Sequence, residues 1–295
     1  RATAAQPDFI INSRNGPVII DICRRLDGLP LALELAAARI RVLPPEDMLE
    51  RLDKSLSLLT RGGKDRPARQ QTLRATIDWS YALLNEDVKK LFRWLSVFSG
   101  GLTVKAAEEL CRPNSDSDCD VLDDISSLEE KSLLKRQEPL GLPRFAMLET
   151  VREYAIERLV ESDEADDVRR KHAEYFLKLA AEADSKLFCP DHKAWLNKID
   201  RESNNIRTAL DWTLSGGQVE LGLKLIVVLG NYWQVGHRIE SLYWLEKVLG
   251  AGSSPSSELA HVLSIAGHSA CDLGDTKKGM SLIEQALSMC RELAN

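Results

Sequence analysis

Helical periodicity runs through almost the whole chain, and β character is confined to two short stretches, residues 132–136 (SLLKR) and 144–148 (RFAML). Apolar residues recur at three- and four-residue spacing in nearly every other segment, as they do in helices that bury one face. The two strand-like stretches are joined through Pro139, Gly141 and Pro143, residues that favour a turn between paired strands. A chain patterned this way cannot build its core on a sheet. One hairpin among helices is the layout of a winged helix, and the rest must pack helix on helix. The expected fold is mainly α: a small helical domain over 1–70, a winged-helix domain with one β-hairpin over 71–165, and a tetratricopeptide-like α-solenoid over 166–295.

Local signals place the elements. A helix over 17–25 ends at Asp27-Gly28, where glycine supplies the positive φ of a C-cap. Pro30 then falls in the first turn of a helix over 31–40, where its missing N–H costs nothing. That helix, LALELAAARI, is apolar nearly all round and is expected to be buried. Pro44-Pro45 ends it. A short helix to about residue 53 follows, and then a Gly- and Arg-rich segment over 61–70. The second block reads as helices TLRATIDWSYALL, EDVKKLFRWLSVF and VKAAEEL, an acidic loop at 116–120, a helix over Val121–Glu130, the hairpin, and a helix over 149–160. In the third block GHRIESLYWLEKVL from Gly236 aligns with GDTKKGMSLIEQAL from Gly274, a spacing of 38 residues. Gly230 and Gly267 precede these segments, and Ser241 and Gly279 hold one shared position. The period is near the ~34 residues of a tetratricopeptide repeat, and small residues suit a close approach of paired helices.

Charge is unevenly spread. The 295 residues carry 39 Lys plus Arg against 45 Asp plus Glu, net −6, but residues 101–168 alone hold 8 basic and 18 acidic side chains. The first hundred residues are net basic and the last segment is neutral. The longest apolar stretches, such as 221–229, fall short of the roughly 18 residues of a membrane-spanning helix. Six cysteines show no C-x-x-C pair, and five scattered histidines show no zinc-finger spacing, so no metal site is expected. These features fit a reducing cytoplasm. The chain begins without Met or a signal pattern and reads as a piece of something longer.

DGLPLAL at 27–33, QQTLRATIDWSYALL, LFRWLSVFSGG, RFAMLETVREYA and the repeats together resemble the signal-transducing ATPases of the STAND class with NB-ARC-like architecture. More narrowly, the chain is similar to bacterial regulators of the LuxR-type and AfsR-like group, which often carry a helix-turn-helix DNA-binding module. The resemblance runs from about residue 9 to 292. It implies a nucleotide-gated switch in which a P-loop domain precedes a GLPL-bearing helical domain, a winged helix and sensor repeats. By that resemblance Gly28, Leu29, Pro30 and Leu31 would lie against the ADP or ATP, with Mg, bound by the P-loop domain. Relatives with Met-His-Asp at the start of the last winged-domain helix read the phosphates with the His; here the matching residues are Met147, Leu148 and Glu149. Glu149 keeps the carboxylate, but Leu148 cannot donate a hydrogen bond. The residues alone also fit a plainer reading, with Pro30 a first-turn proline, Gly28 a cap, and Glu149 a first-turn acid favoured by the helix dipole.

No G-x-x-x-x-G-K-[ST] occurs, and Gly62-Gly63-Lys64 has neither a preceding strand nor a following Ser or Thr. No catalytic constellation is evident, so the chain is expected to hold no cofactor and turn over no ATP by itself. The acidity of the middle segment opposes phosphate contacts, which supply most DNA affinity, so the winged helix is expected to be a packing module without direct nucleic-acid or membrane contact. The basic segment over 61–70 reads as a solvated linker or as a neighbour of nucleotide phosphates. Trp212, Tyr232, Trp233, Tyr243 and Trp244 concentrate aromatic character in the repeats, and Trp233, Tyr243 and Trp244 are the expected contacts for a protein or small-molecule effector. The other expected partner is the upstream P-loop domain, with a second copy of the chain as a further possibility at the repeat end. Two other functions fit the pattern less closely: a nucleotide-free interaction scaffold and a DNA-binding winged-helix protein.

Overall fold

The computed structural model describes residues 2, 6, 8–26, 29–59, 68–111, 120–137, 143–216, 218–251 and 254–294. They fall into two compact units, Arg1–Ser96 with Gly101–Asp163, and Val97–Gly100 with Glu164–Asn295.

The first unit opens with α1 (Gly16–Arg25) and α2 (Pro30–Ala38), each with a proline in its first turn. A 3-10 turn, Arg39–Arg41, extends α2 before α3 (Pro45–Leu59) and α4 (Ala68–Ala82). Ala32, Leu35 and Ala36 of α2 are buried, as an all-round apolar helix requires. They share a core with Ile22, Leu26, Met48, Leu52 and Trp79. Trp79 belongs to the DWSYALL segment of α4, so the GLPL-bearing helices are completed by a side chain from beyond residue 70. An indole is the largest apolar body the chain has, and it goes where a helix interface can cover it.

Next comes the winged helix. Helix α5 (Glu86–Leu95) is capped by Asn85, whose Oδ1 accepts the Val88 N–H at 2.8 Å. Strand β1 (Leu102–Thr103), α6 (Val104–Cys111), α7 (Val121–Glu130), β2 (Lys135–Gln137), β3 (Arg144–Ala146) and α8 (Glu149–Glu161) follow in order. The sheet is antiparallel in the order β1-β3-β2, with Leu102 and Arg136 both opposite Phe145. The expected hairpin is therefore two-thirds of a three-stranded sheet. Gly101 (φ +100°) leads into β1, and a Cβ there would lie 3.0 Å from the Phe145 carbonyl oxygen, so only glycine fits. Buried Arg144 donates from Nη2 to the Gly101 carbonyl at 3.1 Å. Helix α8 is tied to α4 by Tyr154, whose hydroxyl donates to Asp78 Oδ1 at 2.5 Å, and by the ion pair Arg74–Glu157.

The second unit is helical throughout: α9 (Ala165–Asp184), α10 (His192–Ser215), α11 (Val219–Gly236), α12 (Arg238–Gly250), α13 (Ser257–Asp272) and α14 (Thr276–Leu293). The self-similar segments become the second helices, α12 and α14, of two consecutive pairs. Small residues sit where helices approach most closely. A Cβ on Gly279 would lie 2.7 Å from the Gly267 carbonyl oxygen, and one on Gly230 would lie 2.6 Å from Ile265 Cδ1. Ser241 is buried and donates to the Arg238 carbonyl, with Ser269 Oγ 2.7 Å away. The repeat is not exact: Gly267 meets its own pair partner, whereas Gly230 meets the next pair.

Val97–Gly100, which links α5 to β1 in sequence, packs as part of this second unit. Phe98 lies 5.0 Å from the His172 ring and 6.3 Å from Phe176, and the Ser99 N–H donates to Asn205 Oδ1 at 2.7 Å. Asn205 in turn donates to Glu202 Oε2 at 2.7 Å. Burial in this aromatic setting holds His172 neutral and pushes its pKa down to about 3. Among the described residues no helix is long and apolar enough to cross a membrane, and no group of three or more His, Cys, Asp or Glu could hold a metal ion.

Candidate functional site

Three surfaces are candidate sites. The first is the start of α2. Leu29 is extended (φ −64°, ψ 122°) and half-buried against the Trp79 core, and this turns the chain into the helix with Pro30 exposed at its first turn. Leu31 lies in the same turn; its side chain, like all of Gly28, lies outside the described residues. Most of the basic segment over 61–70, Gly62-Gly63-Lys64 included, lies outside them as well. Glu149 opens α8 behind Leu148, an N-cap without a side-chain hydrogen bond. Its carboxylate is exposed and engaged by Arg152 at 2.7 Å, which holds its pKa below the usual glutamate range. Arg152 also reaches the Ser96 carbonyl at 3.4 Å. Pro30 offers an exposed apolar ring that could cover a base. None of these residues offers a lysine, a hydroxyl or a free carboxylate to phosphates or Mg, so they fit only the edge of a nucleotide site.

The second surface is α7. In a winged helix the second helix of the helix-turn-helix is the one that enters a DNA groove, and here that is Val121–Glu130. Asp120 caps it, with Oδ1 accepting the Leu122 and Asp123 N–H groups at 3.1 and 3.3 Å. Val121, Ile125 and Leu128 face the core, leaving Leu122, Asp123, Ser126 and Glu130 exposed and Asp124 and Glu129 partly so. The helix carries four carboxylates and no cation. The nearest basic residues in sequence are Lys131, whose Nζ donates to Ser127, and the exposed β2 residues Lys135 and Arg136. Lys135 pairs with Glu34 of α2 at 3.1 Å.

The third surface lies in the second unit. Trp233 and Trp244 are each 1% exposed and act as core side chains between helices; this corrects the expectation that they meet a partner. Large rings go to helix-pair interfaces because nothing smaller fills them. Tyr243 is 47% exposed, packs edge-on against Trp244 at 5.0 Å, and lines an open groove of about 600 Å³. Ile239, Leu273, His237, Arg207 and Arg238 share that groove. Ile239 is 74% exposed, unusually so for a β-branched apolar residue. Arg207 grips Glu240 with two hydrogen bonds of 2.8 and 3.0 Å, and Arg238 pairs with Asp272 at 2.8 Å. Burial works to raise the Glu240 pKa, but Arg207 and the Trp244 indole N–H outweigh it and hold the carboxyl below its ordinary range. His237 stacks on Tyr232 at 4.6 Å, and the Tyr232 hydroxyl donates to Asp200 at 2.6 Å. The groove residues other than Tyr243 were not evident from sequence. The signal that could have marked them is Ile239, apolar at an exposed position just after the repeated glycine turn.

Residues 84–160 match the family of winged helix-turn-helix domains, the segment in which α5, the three strands and α6–α8 lie. Two mycobacterial proteins named as HTH-type transcriptional regulators, from Mycobacterium tuberculosis and Mycobacterium bovis, are each 39% identical over 250 residues, 84% of this chain. The chain spans only 28% of the length of these regulators. An uncharacterised M. tuberculosis protein is 35% identical over 176 residues, 59% of the chain and 45% of that protein. A crystal structure of a signal-transduction ATPase with a tetratricopeptide sensor, from Pyrococcus horikoshii, overlaps 90% of this chain and 42% of its own. Its TM-score is 0.36 at 16% identity, a likeness from which no property of this chain follows.

Proposed function

We propose that these residues are the regulatory and sensor portion of a nucleotide-switched transcriptional regulator. The winged helix packs and transmits, and DNA is read by another module. The names of the mycobacterial relatives and the winged helix-turn-helix match support a role in transcriptional regulation. The observation that carries the finer reading is the surface of α7, which places Asp123 and Glu130 where a DNA reader needs lysine or arginine. In this reading Pro30 closes over ADP or ATP held with Mg by a P-loop domain of the same chain, and the Tyr243 groove takes a protein or small-molecule effector. Val97–Gly100 lies between α5 and β1 in sequence but packs in the repeat unit, so effector binding there would act on a segment continuous with the winged helix. The 295 residues alone are expected to turn over no ATP.

The test is thermal unfolding of a full-length parent with ADP or ATP and Mg, wild type against Pro30→Glu. The expected result is a nucleotide-dependent rise in Tm that Pro30→Glu reduces. No rise in the wild type would leave a nucleotide-free interaction scaffold as the better reading.

A further inference from the structure

A second cluster of polar groups lies at the other end of α2, away from any role assigned above. Arg39 opens the 3-10 turn and is 4% exposed. Its Nη2 donates to the Ser80 carbonyl of α4 at 2.9 Å, and its Nε meets no acceptor. No carboxylate pairs with it among the described residues. Ser80 is fully buried, and its hydroxyl also lacks a partner; the neighbouring Trp79 leaves its indole N–H unpaired. Lys131, at the end of α7, is the nearby second cation, half-buried, with Nζ donating to Ser127 Oγ and to the Ser127 carbonyl at 3.4 Å. Burial, and then the charge of Arg39, push the Lys131 pKa down, with the exposed Glu130 opposing them. A buried guanidinium is ordinarily matched by a carboxylate or a second acceptor, because an uncompensated charge away from water is strongly unfavourable. Here the two groups left over at this contact, a guanidinium N–H and a hydroxyl, can both donate. What complements them is a compact group rich in acceptors and negatively charged.

We propose that Arg39 and Ser80, with Lys131 beside them, form a binding site for a phosphate-type oxyanion in the first unit. Arg39 Nε would donate to one oxygen and the Ser80 hydroxyl to another, while Lys131 supplies a second charge. The low exposure of Arg39 restricts the ligand to a small oxyanion or to the phosphate end of a larger molecule. The site does not depend on the nucleotide-switch reading: free phosphate and a nucleotide phosphate present the same chemistry to it.

The test is thermal unfolding and calorimetric titration of the 295-residue chain with inorganic phosphate, sulfate and ADP, at ionic strength held constant with chloride. Saturable binding is expected, with Tm rising about 3 °C at phosphate tenfold above its Kd. Arg39→Met should abolish the rise, Lys131→Met should weaken binding about tenfold, and Lys277→Gln, at an exposed position of α14 in the other unit, should leave it unchanged. ADP saturating below phosphate would identify a nucleotide as the source, and equal responses to phosphate and sulfate a free oxyanion; either supports the site. A wild type that ignores all three ions, or an Arg39→Met chain that responds like the wild type, would overturn it. Should Arg39→Met not fold, a selenate-soaked crystal decides: selenate beside Arg39 supports the site, and water alone there refutes it.

Discussion

Replacing Gly279 by alanine tests the helix-pair packing at its tightest point. The added Cβ would sit 2.7 Å from the Gly267 carbonyl oxygen and 3.0 Å from the Cys271 backbone nitrogen, and it would also collide with the Cys271 thiol. Two of these neighbours are backbone, so relief requires α13 and α14 to part by roughly half an ångström. Overpacking of this kind costs about 1–3 kcal/mol, and the better helix propensity of alanine returns about 1 kcal/mol. With two backbone atoms and a thiol in the way, the cost falls in the upper half of that range, about 2–3 kcal/mol, so the net expectation is a loss of about 1–2 kcal/mol, seen as a fall of about 3–7 °C in the Tm of the second unit by circular dichroism. Gly236→Ala is the matched control: it too is helical, but nothing lies within 4 Å of its Cβ position, so it should be neutral or slightly stabilising. A Gly279→Ala chain as stable as the wild type would refute the close approach of α13 and α14, and with it the assignment of these helices as a packed repeat pair.

Further expectations concern the rest of the second unit. Trp244→Ala should lose about 3–5 kcal/mol by chemical denaturation because it empties a core position, whereas Tyr243→Ala should unfold within about 0.5 kcal/mol of the wild type and reduce effector binding. Equal losses for the two would contradict the division between core and groove. His172 has a folded pKa of about 3, below its ordinary 6.5, so the unfolded chain takes up its proton first as pH falls. Its contribution is intact above about pH 6.5 and is lost between there and pH 3, at up to about 1.4 kcal/mol per pH unit. His172→Gln should flatten the stability profile in that window; unchanged curvature would mean that His172 is solvated.

Much of the helical framework follows from local rules that the sequence displays openly. Prolines 17 and 30 mark first turns, the Asn85 and Asp120 side chains cap helices, and the paired segments at 236 and 274 become α12 and α14. What escaped depends on partners distant in the chain. Strand β1 is two residues long and carries no period of its own; it exists because the edge of β3 accepts it. Trp79 reads as part of the winged-helix block, yet α1–α3 supply its apolar neighbours. Phe98 looks like the end of α5 and instead joins His172 and Phe176. For the candidate site, aromatic content alone does not say which rings reach the surface: ring size draws Trp233 and Trp244 inward, while the hydroxyl of Tyr243 tolerates water. Nothing in the spacing of Arg39, Ser80 and Lys131 suggests that three separate elements bring them together.

The charge on α7 carries the central claim, and a DNA titration tests it most directly. Fluorescence anisotropy of a labelled duplex should be followed against the 295-residue chain at low salt, with Asp123→Arg/Glu130→Arg as the comparison. No binding tighter than about 10 µM is expected from the wild type, since exposed carboxylates on the groove-facing helix repel phosphates, and the double variant should bind more tightly. Submicromolar binding by the wild type, weakening steeply with added salt, would contradict the account and make this winged helix a DNA reader.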